Sequence, residues 1–96
     1  MIRQICMFKL KEENRAENLA EFLRRAESLR ALPMMRGYQV VANAPGAPVN
    51  NYDVSLICDF DDLEGLAQYQ SHPDHVAFGK FVGSVRELRA CIDYEC

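Results

Sequence analysis

Apolar residues along the chain keep two periods, and the places where the period changes divide it into elements. From Ile2 to Leu10 the repeat is two: Ile2, Cys6, Phe8 and Leu10 share one face, Ile5 and Met7 the other. Such a pattern predicts a strand covered on both sides. From about Asn14 to Leu32 the period becomes helical, with Leu19, Phe22, Leu23, Ala26, Leu29 and Leu32 on one stripe. Glu12, Glu13 and Glu17 near its start and Arg24, Arg25 and Arg30 near its end complement the helix dipole. Pro33 stops it. Met35 to Asn43 reads as a second strand, and the Pro/Gly-rich stretch 44–51 as a hairpin connection. Tyr52 to Phe60 reads as a third strand, with Val54, Leu56, Cys58 and Phe60 inward and Ser55 and Ile57 opposite. Asp61 and Glu64 form a capping-box pair opening a second helix through Tyr69 and Gln70. Ser71-His72-Pro73 breaks that helix, and Pro73 suits the first turn of another, which carries Phe78, Phe81, Val82 and Val85. Leu88 to Glu95 closes the chain as a fourth strand.

The order β-α-β-β-α-β predicts a ferredoxin-like α+β fold, one antiparallel sheet with helices on one face, as a single domain over residues 1–96. Strands apolar on both sides cannot leave one side in water, so the open sheet face predicts a homodimer. Composition agrees: 49% apolar residues in 96 is a small core, and a second subunit would enlarge it. The net charge of −3, with Lys and Arg unclustered, argues against a nucleic-acid or anionic-membrane partner. No apolar run approaches the roughly 18 residues of a membrane span, and the N-terminus lacks a signal peptide's layout, so a cytoplasmic location is expected. Cys6, Cys58, Cys91 and Cys96 are scattered, with no CxxC and no histidine at ligand spacing. They are expected to stay reduced, three of them as small buried hydrophobes, and no metal or cofactor is expected. Cys96 carries a risk of crosslinking chains in air.

Candidate chemistry is sparse. Of the two histidines, His75 lies three residues before Phe78 and seven before Val82, so it belongs to that helix's apolar face. In the first turn, the helix dipole disfavours its imidazolium, and a neutral imidazole is what a general base requires. The alternative is a core histidine bonded to a backbone carbonyl. Tyr69 sits six residues earlier. A break at His72-Pro73 folds both side chains into one pocket, where the phenol orients the imidazole or binds a carbonyl oxygen. Otherwise Tyr69 is an amphipathic residue with its ring in the core. Gln4 is the polar exception on the inward face of the first strand; it either lines a polar pocket or frays into solvent. His72 reads as a surface residue of the helix break. Asp59, Asp61, Asp62 and Glu64 read as capping residues rather than metal ligands.

The segments MIRQICMFKLK, YDVSLICDFDDLEGLAQYQSHPDHVAF and RACIDYE resemble the stress-responsive A/B-barrel (Dabb) domain family over essentially the whole chain. The most specific part runs from Tyr52-Asp53 through Tyr69, His72, Pro73 and His75. The resemblance implies a small ferredoxin-like subunit that dimerises into an α+β barrel. Through one plant member, olivetolic acid cyclase, which closes a linear polyketide-CoA by aldol condensation, it implies His75 as base and Tyr69 as its assistant. That cyclase has a histidine in the first strand where Gln4 stands here, and Gln cannot hold a proton at neutral pH. Some plant relatives hold magnesium on backbone carbonyls that map near Leu29, Leu32 and Met35. The function expected is therefore a dimer binding a small, partly apolar ligand between sheet and helices, with Gln4, Tyr69, His75 and Phe78 lining the pocket. The alternatives are a cyclase- or isomerase-like enzyme using His75 and Tyr69, and a non-catalytic stress-protective assembly protein.

Overall fold

The computed structural model describes residues 1–96. In chain order the elements are β1 (Ile2–Leu10), α1 (Arg15–Ala26), β2 (Gly37–Ala42), β3 (Val54–Phe60), α2 (Leu63–Ser71), α3 (Pro73–Val85) and β4 (Arg86–Glu95). The four strands form one antiparallel sheet in the order β2-β3-β1-β4, which is the ferredoxin-like arrangement.

The alternation read from the sequence sets which side chains meet. Ile2, Cys6, Phe8 and Leu10 of β1 and Val54, Leu56, Cys58 and Phe60 of β3 are all buried beneath the helices. Phe22 of α1 and Phe78 of α3 reach the sheet in a chain of ring contacts, Phe8–Phe22 at 5.3 Å and Phe22–Phe78 at 5.1 Å. Tyr38 of β2 is buried too, and its hydroxyl donates to the Ala26 carbonyl at 2.8 Å.

Element ends depart from the sequence reading where hydrogen bonding rather than hydropathy decides. The first helix ends at Ala26 and tightens into a 3-10 turn over Glu27–Leu29, while Leu32 stays in the core from a turn. The second strand is shorter than Met35–Asn43, since Met35 N–H closes that turn on the Leu32 carbonyl. The cap of α2 is Asp62, not Asp61: its carboxylate accepts from Gly65 N–H at 2.8 Å. Asp61 instead pairs with Arg36.

The cysteine reading is corrected. Cys6 and Cys91 form a disulfide. They stand directly opposite on β1 and β4 with Cα atoms 4.2 Å apart, so strand register places them together across 85 residues of chain. Cys58 is free and buried, Cys96 free and exposed.

The other sheet face carries no helix. Register brings Ile57, Ile5 and Ile92 into one row across β3, β1 and β4. Met7, Val41, Leu88 and Tyr94 surround it, with Leu88 52% and Ile92 60% exposed. Arg3 and Asp59 form a hydrogen-bonded ion pair near one end of this face.

Candidate functional site

The site grows from a one-residue break, His72, between α2 and α3. His72 ends the first helix and caps the second: its backbone is extended, and its Nδ1 accepts from Asp74 N–H at 3.1 Å. Pro73, with no N–H to satisfy, fills the first position of α3. His72 is thus more than a surface break. Its cap sets the angle at which α3 leaves α2.

That angle returns the first turn of α3 onto the last turn of α2. The ring of His75 lies 4.4 Å from that of Tyr69, inclined at 57°, and Tyr69 in turn packs 5.1 Å from Phe60. Tyr69 is 1% exposed, with its hydroxyl beside the Cys58 thiol. Burial, first, and the neighbouring Cys58 hold that phenol well above its ordinary range, so it stays a neutral donor. Burial likewise pushes the Cys58 thiol up to about 12, which makes it unreactive.

His75 is half-buried, and desolvation lowers its pKa from the usual 6.5, with the charge of Arg89 acting the same way. The Gln70 carbonyl, 3.1 Å from Nδ1, opposes that shift. A carbonyl can only accept, so Nδ1 carries the proton and donates, leaving Nε2 with a free lone pair. Both readings of this histidine therefore coexist: it is bonded to a backbone carbonyl, and it keeps a basic nitrogen.

Gln4 is 6% exposed, and its Nε2 donates to Asp93 Oδ1 at 2.9 Å. Gln4, Tyr69, His75 and Phe78 all line one cavity of about 180 Å³ between the sheet and α3. An enclosed apolar cavity of about 150 Å³ holds a benzene ring, so this one has room for a ring-sized body. Sequence reasoning missed other contributors: the Gln70 carbonyl, Cys6 of the disulfide, and Arg86 and Arg89 of β4. A backbone carbonyl has no side-chain signature. The arginines reach the site only through strand register.

A family model described as the stress responsive A/B barrel domain matches residues 2–96. The chain belongs to that family. Among solved structures, this Dabb domain is similar to a dimeric ferredoxin-like protein of unknown function from Bacteroides fragilis, at 31% identity and TM-score 0.86. That match covers 99% of this chain and 95% of the other. A dimeric ferredoxin-like protein of unknown function from Thermobifida fusca shows 25% identity and TM-score 0.89, covering 99% and 90%. A Dabb family protein from Mesorhizobium loti shows 26% identity and TM-score 0.81, covering 99% and 95%. No curated protein matches the chain. No helix is long and apolar enough to cross a membrane.

The magnesium position implied by some plant relatives falls on a hydrogen-bonded turn of this Dabb domain. The carbonyls of Leu29 and Leu32 accept the N–H groups of Leu32 and Met35. Each of those carbonyls keeps a second lone pair, and no group of three His, Cys, Asp or Glu side chains adds charge around them.

The depressed pKa of His75 has a measurable consequence. Well above pH 6.5 the imidazole is neutral in folded and unfolded chains alike, and its contribution to stability is fully present. As pH falls, the unfolded chain takes the proton first, so stability is lost progressively down through the folded-state pKa. Urea midpoints at neutral pH and near about pH 5 should differ in the wild type, and His75→Gln should flatten that part of the difference. An equal slope in the variant assigns the acid lability to other groups.

Proposed function

We propose that this Dabb domain is a homodimer, joined through its open sheet faces, whose cavity binds a small, partly apolar carbonyl compound. The observation that carries the ligand reading is the cavity itself: it reaches the Tyr69 and His75 side chains together instead of being filled by core residues. Phe8, Leu56, Phe78 and Val82 supply apolar wall. The dimer reading is supported by the exposed apolar row on the open face and by the dimeric state of the Bacteroides and Thermobifida proteins.

A second reading, proton abstraction at carbon, is favoured by one specific feature. The Gln70 carbonyl fixes the tautomer of His75 so that Nε2 is the basic nitrogen, in an environment that keeps it neutral near pH 7. Nε2 takes a proton from the carbon next to a ligand carbonyl, and the Tyr69 ring, packed 4.4 Å from the imidazole, holds it in orientation. Gln4 hydrogen-bonds and positions, but exchanges no proton.

Turnover of a β-polyketide thioester tests both. The catalytic reading expects wild-type turnover and a loss of about 10²–10⁴-fold in His75→Ala. Turnover unchanged in that variant removes the histidine from the mechanism. Binding without turnover leaves the ligand-binding reading. A cavity that takes no carbonyl ligand at all leaves a non-catalytic assembly protein.

A further inference from the structure

We propose that the ligand of this cavity is an acid, a body of about one ring carrying a single carboxylate held by Arg86 and Arg89. This rests on the cavity being a binding site and adds the chemical class of its occupant.

Three observations, of charge, of backbone and of shape, support this assignment. The first is charge. Arg86 and Arg89 both line the cavity, and no Asp or Glu lines it, although the whole chain carries a net −3. Neither arginine takes part in an ion pair, whereas Arg3, Arg15, Arg24, Arg25, Arg30 and Arg36 all do. The Arg89 side chain makes one long hydrogen bond, Nη2 donating to the sulfur of Cys6 at 3.8 Å. Two guanidiniums without ion-pair partners in the wall of one cavity suit a carboxylate, whose paired oxygens match their geometry.

The second observation is the backbone device that brings them together. Residues three apart on a regular strand point to opposite faces. Here the pairing of β1 with β4 shifts between Lys9 and Leu10: Phe8 faces Arg89, Lys9 faces Leu88, and Leu10 faces Arg86, leaving Glu87 as the extra residue. Phe8 and Leu10 both point toward the helices, so the bulge turns both arginines to the cavity side. Bulges of this kind re-aim side chains beside binding sites.

The third is the opposite wall. Gly79 and Gly83 stand one turn apart on α3 and both line the cavity. A Cβ at either position would meet nothing within 4 Å, so no close packing demands glycine there. Glycine is among the weakest helix formers, and two on one face of α3 weaken it without a compensating contact. What they provide is a bare helix surface in the cavity wall, room for a planar body beside the arginines, Tyr69 and His75.

The test uses two isosteric probes, benzoate and benzamide, titrated into the protein and followed by the amide resonances of Gly79 and Gly83. Benzoate should shift both resonances and bind about tenfold or more tightly than benzamide. Arg86→Gln with Arg89→Gln should bring the two probes to the same affinity. Gly79→Ala with Gly83→Ala should raise the melting temperature and weaken benzoate, a combination that a purely structural role for the glycines does not produce. Benzamide binding as tightly as benzoate overturns the acid assignment and leaves the cavity as a ligand site. If neither probe shifts the glycine resonances, the assignment and the ligand-binding reading fall together.

Discussion

Replacing Ile92 with aspartate is expected to convert the protein from dimer to monomer at micromolar concentration. Ile92 is 60% exposed in the isolated subunit, so a polar residue there costs little unless another surface covers it. In a sheet-to-sheet dimer it is covered, at the end of the row formed with Ile5 and Ile57. An unpaired carboxylate buried there costs about 3 kcal/mol or more, which is over a hundredfold in dissociation constant. Light scattering should give the dimer mass for the wild type and the monomer mass for Ile92→Asp, with Leu88→Lys moving the same way. A wild-type monomer, or a variant dimer of unchanged affinity, would rule out this face as the interface.

Reducing the Cys6–Cys91 bond should be the most damaging covalent change available to the fold. The bond joins β1 to β4 across a separation of 85 residues. By loop-closure entropy, releasing a loop of that length removes about 4.6 kcal/mol of stability. For a domain of this size, each 1 kcal/mol lowers the melting temperature by about 4–8 °C. A thermal scan with and without dithiothreitol should therefore show a large downward shift. The double variant Cys6→Ala/Cys91→Ala should start near the lower value and ignore the reductant. If reduction leaves the wild-type transition in place, backbone pairing alone holds β4, and the disulfide contributes nothing measurable. The consequence reaches the cavity, because β4 carries Arg86 and Arg89 and Cys6 lies in the wall.

Hydropathy period and helix-stopping residues determined the element order, the α+β class and which faces of β1 and β3 are apolar. Those signals are local, and each side chain's face follows from a repeat of two or 3.6 residues. The pairing of Tyr69 with His75 was legible for the same reason: the break at His72-Pro73 lies between them, and a capped helix turn has few ways to leave it. What the sequence could not determine was everything set by register between distant strands. The meeting of Cys6 with Cys91, the hydrogen bond from Gln4 to Asp93, and the bulge that turns Arg86 and Arg89 to one side depend on β1 and β4 lying edge to edge, more than eighty residues apart along the chain for the disulfide. Pairing across such a distance is chosen by the packing of the whole sheet, and no single stretch of chain records it. The sequence alone thus determined a small subunit with an unpartnered sheet face and a histidine beside a tyrosine; only the tertiary structure decided what stands opposite them.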